Sequence, residues 1–465
     1  MQQTSAVAER DAAALAPPRE ILRAESLRAR FAGDLLYPGD PHYDAARRVW
    51  NPAVDQHPTL IARCRSVDDV SAAVQFAREQ EVPVTVRSGG HSFAGFGVRD
   101  GAMMIDLSQL KGMKVQGRRR LATAQPGLTW GEFTRAAAAC GLATTGADIS
   151  SVGIAGMTLG GGMGWLHRMF GAACDNLAGA DVVLANGAIV RASPEENTDL
   201  YWGLRGGSGN FGIVTSLDYR LHPMAEIVGG ITLHPIGRAR DALALYRDLC
   251  EHAPDALRLA VFLITAPAAR FIPETMRGKP AVMMCGAYFG PLDEGERALR
   301  PLHRFGPPVV DLVRRMRYEQ LEHRAPPASL HHHGTGEFLR ALDDPTIDAI
   351  ADAAANPVSP FIIILINQLG GALSRVPEGE TPFGLRHAAH TVGIHCMWTP
   401  GDAPAIHEAW TRQLWESIRP ASAGARRSIS RPMKAPSACA GRTLQPSMQD
   451  SWTSSAGTTP TTSSA

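Results

Sequence analysis

Along the first half of the chain, apolar positions switch between a period of about 3.6 and a period of 2 and so sketch its elements. In Asp68–Glu79, Val70, Ala73, Val74 and Ala77 share one helical face, with Ser66 or Asp68 as N-cap. Val82-Pro-Val-Thr-Val86 reads as a short strand, as do Met103–Leu107 and Leu121–Ala124. Pro126-Gly127 turns the chain into a helix over Thr129–Cys140 that ends at Gly141. Gly179–Ala185 and Ala188–Ala192 flank the turn Asn186-Gly187, and Gly212–Leu221 follows as a further strand. Ahead of these, the spacing predicts a helix at about Pro18–Phe31, a turn at Tyr37-Pro-Gly-Asp40 and a short element over Asp44–Trp50.

Past His222-Pro223-Met224 the pattern changes. Strand-like runs (Gly230–His234, Leu259–Ile264, Ala281–Tyr288, Phe361–Leu369, Thr391–Trp398) alternate with helical ones (Ala239–Glu251, Glu294–Phe305, Pro404–Ser417). An antiparallel sheet with helices on one face fits this half. Without regular βαβ alternation, the fold class expected is α+β rather than doubly wound. At 465 residues the chain is too long for one compact core and implies two or three domains.

Composition narrows the functions. The formal net charge is +1, which argues against nucleic acid or an anionic membrane as partner. No apolar run reaches membrane-spanning length and the start lacks a secretory core, so a cytoplasmic location is the default. The seven cysteines form no Cys-x-x-Cys pair and read as reduced, mostly buried thiols.

The candidate chemistry lies in three glycine-rich stretches. The first is Val86–Gly95, with Arg87, Ser88, Gly89, Gly90, His91, Ser92 and Gly95. Glycines after a strand let backbone N–H groups surround an anion, and a diphosphate suits such a nest. His91 is the one nucleophilic side chain in the loop, although a glycine turn carrying a surface histidine is equally compatible with this segment alone. The second stretch runs from Thr145 to Gly164, followed by Trp165–Gly171 and Cys174–Leu177. Its glycines offer a surface without Cβ atoms to a flat ring or a ribityl chain; the plain alternative is a tight packing corner. The third, Gly207-Ser-Gly-Asn-Phe-Gly212, satisfies G-x-G-x-x-G, but a β-branched run follows where a Rossmann site needs a helix N-terminus, so a nicotinamide site is rejected.

Together, in this order and spacing, the three stretches resemble the FAD-linked oxidases of the berberine-bridge-enzyme-like family, with its vanillyl-alcohol-oxidase (PCMH) type of flavin domain. The resemblance extends from about Tyr37 to Ala423 and includes Leu369–Arg375 and Pro400–Gly424. It implies a leader over residues 1–35, a two-subdomain FAD-binding domain over 36–224 and a substrate-binding domain over 225–423. It implies that His91 bonds to the flavin 8α carbon. It also assigns to FAD contact the first-loop residues above with Pro126, Gly127, Gly146, Ser151, Gly153, Ile154, Gly156, Gly160, Gly161, Gly212, Ile213 and Val214. Bicovalent members carry a cysteine where this chain has Ile149, so one covalent link is expected. The implied reaction passes hydride from an alcohol, sugar or secondary metabolite to the flavin, with molecular oxygen as acceptor. A flavoprotein that only binds a planar natural product or drug, and a catalytically silent scaffold, are the alternatives.

Three other features were weighed. His331-His-His333 is read as a solvated loop or as lining the substrate cleft rather than as a metal site, because consecutive residues seldom converge on one ion. His167 and Asp175 are read as ordinary hydrogen-bonded polar residues, and Cys174 as a buried spectator. Beyond Gly424 the chain departs from the family, which returns to its flavin domain through a Tyr-Asp-Pro-x-Asn-x-Phe-Arg segment and supplies a catalytic tyrosine. Residues 424–465 read literally as a polar, low-complexity tail expected to be disordered. Back-translated with a suitable choice of synonymous codons and read one base earlier, Ser451–Ala465 can spell Val-Asp-Leu-Lys-Arg-Arg-Tyr-Asp-Pro-Asp-Asn-Val-Phe-Arg, and Met433-Lys434 forces a glutamate in that frame. A frameshift near Gly424 is therefore expected, with the tyrosine base missing from the chain as written and the catalytic base unassigned.

Overall fold

The structure, a computed structural model, describes residues 24–321 and 329–424. The leader up to residue 23 and the tail beyond Gly424 lie outside the described residues. Of the helix expected over Pro18–Phe31, the described part is helical over Glu25–Arg28, with Leu27 seated in the core.

Two small sheets precede one large one. In the first, Asp34–Leu36, Leu60–Arg63, Met103–Asp106 and Val84–Arg87 lie side by side in that order. The last three are parallel and the first is antiparallel to its neighbour. The helix Val67–Glu79 covers this sheet. Ser66 starts it through a capping box: its hydroxyl accepts from Asp69 N (3.1 Å) while the Asp69 carboxylate accepts from Ser66 N (3.1 Å). The helix buries Val70, Ala73, Phe76 and Ala77 against Leu60, Ala62, Met103 and Ile105. Burying a side chain the size of Phe76 contributes about 1.5–3 kcal/mol.

The second sheet is antiparallel throughout, ordered Met113–Gln116, Leu121–Ala124, Ile213–Arg220, Leu177–Val183 and Ile189–Ala192. Helix Trp130–Ala138, capped by Thr129 and Glu132, packs on it. Trp130, Phe133 and Tyr219 meet edge to face with ring centroids 5.1–5.6 Å apart. The run after Gly212 is thus a strand, as its β-branched residues required.

The third sheet, nine-stranded among the described residues, draws its strands from Glu226 to Gly424. Its centre runs Glu226–Pro235, Pro280–Tyr288, Leu257–Thr265, Ile363–Gln368, His390–Trp398 and His331–Leu339, every neighbouring pair antiparallel. One face is apolar: Val261, Leu263, Ile364, Ile366, Val392 and Ile394 bury against helices Ala239–Glu251, Leu292–Arg304, Asp344–Ala355 and Pro404–Ile418. The alternate residues, among them Ala260, Phe262, Cys285 and Leu365, face Trp165, Leu166 and Phe170 of the first half. Several elements were not anticipated, two of them long. Asp344–Ala355 carries readable signals: Asp343 caps Thr346 N at 3.0 Å, a proline opens the helix, and Ile347, Ile350, Ala351 and Ala354 form its buried face. His331–Leu339, expected as a loop, is a strand. Its three histidines and two glycines hide a β pattern that only pairing with His390–Trp398 completes.

Buried polar groups hold this sheet to the first half of the chain. Arg386 donates to both oxygens of Asp175 (2.7 and 2.9 Å), with side chains only 6% and 8% exposed. Arg168 donates to the carbonyls of Leu257, Ala253, Pro254 and Leu369. Arg258 pairs with Asp148 (3.0 Å) and stacks over Trp165. Among the described residues no helix is long and apolar enough to cross a membrane.

Candidate functional site

The strand Val84–Arg87 delivers the chain into a loop whose backbone has little to bond to. Gly90 and Gly95 sit at φ of +68° and +70°, a region glycine enters without steric cost. The loop's carbonyls are engaged: Gly90 O accepts from Trp50 N (3.0 Å) and Ser92 O from Gly95 N (3.1 Å). Its donors are not. Among the described residues, the N–H groups of Gly89, Gly90, His91 and Ser92 find no acceptor within the protein. Unpaired backbone donors are costly where water is excluded, and a run of them is what binds an anion. The donor set therefore fits a diphosphate.

The glycine block closes on this loop from the other side. A Cβ on Gly153 would come 2.6 Å from Gly89 N, so the two backbones touch because neither residue has a side chain. Ser88 donates to the carbonyl of Pro126, and Gly127 packs against the carbonyls of Leu107 and Leu110. Ile154 is buried at the start of a short helix, Gly156 and Ser151 are exposed, and no atom lies within 4 Å of a Cβ built on Gly156. Gly160 follows at the end of that helix. Other glycines of the set meet protein: Gly146 the Trp130 ring, Gly161 the Phe383 ring, and Gly212 the strand at Val182 and Val183. Ile213 and Val214 are buried in the ladder with Val183 and Val182. Arg87 passes beside Gly90, its Nε 3.3 Å from where a Cβ on that glycine would stand, and donates to Ala46 O (2.8 Å) beside a cavity of about 310 Å³ shared with Arg63, Asp106 and Ser108.

His91 lies in an aromatic setting. Trp50 stacks on it at 5.5 Å, 18° from parallel, and Trp50 also meets Phe93 (5.6 Å) and His332 (5.4 Å) edge-on. Burial pushes the His91 pKa down to about 4, so the ring is neutral and its lone pair available as a nucleophile near pH 7. Asn51, itself buried, donates to Phe93 O (3.0 Å) and His332 O (3.2 Å), tying the loop to the large sheet. Trp50, Asn51, Phe93, His332 and His395 were not selected from sequence as a cluster. Phe93 stood inside the first motif, and Trp50-Asn51 closed a short element, but nothing linear joined them to residues 332 and 395.

The large sheet presents two further histidines here. Strand alternation sends His332 to the face of Gly334 and His395, and His331 and His333 to the other. His331–His333 is therefore not a solvated loop. His332 is buried, stacks on Phe93 at 4.4 Å and approaches His395 with Nε2 to Nδ1 at 3.1 Å. His167 and Asp175 are hydrogen-bonded polar residues, and His167 also reaches the end of the glycine block. His167, buried and held neutral with its pKa pushed down to about 3, places Nδ1 2.6 Å from Gly164 O and Nε2 2.9 Å from Gln368 O. Asp175 accepts from Ala172 N (2.8 Å) and pairs with Arg386. Cys174 is buried, and burial pushes its thiol pKa up, so it stays protonated.

Residues 58–193 match the FAD binding domain family. The chain thus contains an FAD-binding domain. This flavoprotein is 31% identical to the (R)-6-hydroxynicotine oxidase of Paenarthrobacter nicotinovorans over 62% of its own length and 62% of that enzyme's. It is 27% identical to an FAD-linked oxidoreductase of Dictyostelium discoideum over 80% of each chain. Its fold superposes on the berberine-bridge-enzyme-like protein 1 of Physcomitrella patens with a TM-score of 0.77 at 21% identity, over 87% and 89% of the two chains. FAD is the flavoprotein's cofactor.

Proposed function

We propose that the protein is an oxidase in which His91 holds FAD by a single covalent bond and a small alcohol, sugar or secondary metabolite is oxidised beside it, with molecular oxygen as the final acceptor. The observation that carries this reading is the coincidence of four unpaired loop N–H groups with a neutral, stacked imidazole at their centre. Ile149 stands where a second, cysteinyl link would form, so the attachment is single. The residues divide the work. The loop binds the diphosphate, Trp50 orients His91, and the face of the large sheet that carries His332 and His395 closes the space where substrate enters. The flavin supplies the two-electron acceptor. A cytoplasmic location and a division into FAD-binding residues 36–224 and substrate-binding residues 225–423 belong to the same proposal.

Acid precipitation of the purified protein tests it. Yellow colour that stays with the pellet, and hydrogen peroxide release on adding an alcohol or sugar from a panel, are the expected results. Colour that passes wholly into the supernatant overturns the covalent bond, and a colourless protein overturns the reading. The tail beyond Gly424, outside the described residues, is proposed to arise from a frameshift. Resequencing codons 415–465 decides its origin, and restoring the frame is expected to raise turnover.

A further inference from the structure

The histidine pair on the large sheet has a defined proton arrangement. His332 and His395 lie on adjacent strands, where His332 opposes Met397 and Gly334 opposes His395. Their rings meet through Nε2 of His332 and Nδ1 of His395, 3.1 Å apart. The glycines make room for this. A Cβ on Gly334 would stand 2.8 Å from His332 Cε1 and 2.9 Å from His395 Nδ1, and a Cβ on Gly393 would stand 2.9 Å from His395 Nε2. The His395 ring is thus bedded across two glycines, with Phe93 of the flavin loop 5.5 Å away.

Both rings are neutral, because burial pushes His332 down to about 2 and His395 to about 4. Two neutral rings in contact share one proton, and two arrangements exist. Nδ1 of His332 is buried with no hydrogen-bond partner. If that atom held the proton, an N–H donor would be buried unmatched, and orphaned donors are rarer in proteins than under-satisfied acceptors. The proton of His332 therefore sits on Nε2 and is donated to Nδ1 of His395. The proton of His395 must then be on its own Nε2. That nitrogen makes no hydrogen bond within the protein and belongs to a partly exposed residue.

We propose that His395 offers Nε2–H as a neutral donor to an oxygen of the substrate, and that His332 is the positioning residue that fixes this tautomer. The proposal rests on the flavin reading above and narrows its substrate class. An alcohol, hemiacetal or carbonyl oxygen next to the reacting carbon can accept this bond. A protonated amine has donors only and would leave His395 unmatched. The ladder neighbours of His395 are Gly334 and Ile363, so no carboxylate adjoins it there to receive an ammonium group. His395 donates and does not take the substrate's proton.

Two measurements test this on the full chain. Nitrogen NMR of histidine-labelled protein needs no substrate. His332 and His395 are expected as Nε2–H tautomers at pH 7, and His332→Phe is expected to release His395 into a mixture of tautomers. A wild-type His395 protonated at Nδ1, with a bare Nε2, overturns the proposal. The second measurement is flavin bleaching without oxygen by a panel of sugars, benzylic alcohols and benzylic amines. His395→Gln keeps a donor and is expected to hold KM close to wild type. His395→Phe removes it and is expected to raise KM about tenfold, the effect of one neutral hydrogen bond, with a smaller change in kcat. Equal behaviour of the two variants, or bleaching by amines in preference to alcohols, counts against the donor role. If nothing in the panel bleaches the wild-type flavin, the oxidase reading fails and the tautomer measurement still decides the histidine pair.

Discussion

The glycine loop at Gly89–Ser92 and the sheet floor at His332–His395 meet through Trp50, Asn51 and Phe93 and are built on opposite plans. The loop works with its backbone. Glycines bring bare N–H groups together, and the one side chain that matters, His91, is held by a Trp50 stack. The floor works with side chains. Its backbone is satisfied in the ladder, and glycines at 334 and 393 serve only to let two imidazoles lie on it. A loop of the first kind recognises a group common to many reactions, the diphosphate. A floor of the second kind can change its polar groups without disturbing the ladder.

His91→Ala separates the two most sharply. All covalent flavin should be lost and the cofactor become extractable by acid, while the His332–His395 contact persists. Retention of pelleted flavin in that variant would place the bond elsewhere. Next in size is the buried pair Asp175–Arg386, which ties the two halves of the chain together. Asp175→Ala leaves Arg386 buried without its partner and should cost about 3–5 kcal/mol, read as a shift of the denaturant midpoint. A shift below about 1 kcal/mol would mean that the pair is more hydrated than its burial implies.

Gly89→Ala and Gly334→Ala make a matched pair. Each forces a Cβ into a close contact, with overpacking costs of about 1–3 kcal/mol. The first should weaken FAD retention, because the obstacle is the Gly153 backbone, which cannot move aside. The second should leave FAD in place and alter substrate KM, because the obstacles are the two imidazoles. The reverse outcome would break the division of labour.

The smallest effect is in pH. Burial lowers His167 to about 3 and both His390 and His395 to about 4, against about 6.5 in an unfolded chain. Between those values the unfolded chain binds protons that the folded one does not. The stability these groups contribute is therefore complete above about pH 6.5, drains as pH falls below it, and is gone below about pH 4 for His390 and His395 and below about pH 3 for His167. Denaturant midpoints measured from pH 7.5 to 4.5 should decline over that window, and less in His390→Gln, whose ring in the wild type bonds to Tyr246 Oη at 3.0 Å.

Much of the fold was legible in linear order. Ser66 and Thr129 announce their helices because capping is a contact over three residues, and Ala239–Glu251 is periodic over its whole length. The loop was legible for the same reason: Gly89, Gly90, His91 and Ser92 are neighbours, and what they do depends on glycine conformations that the residues themselves permit. The rejection of a Rossmann site at Gly207–Gly212 also rested on local grounds, the β-branched run that became Ile213–Arg220. His331–Leu339 was not legible, since three histidines and two glycines have weak strand propensity and gain their ladder only from His390–Trp398.

By itself, then, the sequence determined the α+β class, the elements with short-range caps and periods, and the glycine loop around His91, all of them written in residues a few positions apart. Only the tertiary structure decided that Trp50 covers His91, that Asp175 finds Arg386, and that His332 and His395 share one proton between two glycines. Those pairings span tens to hundreds of residues, and their register follows from how whole sheets bury their apolar faces.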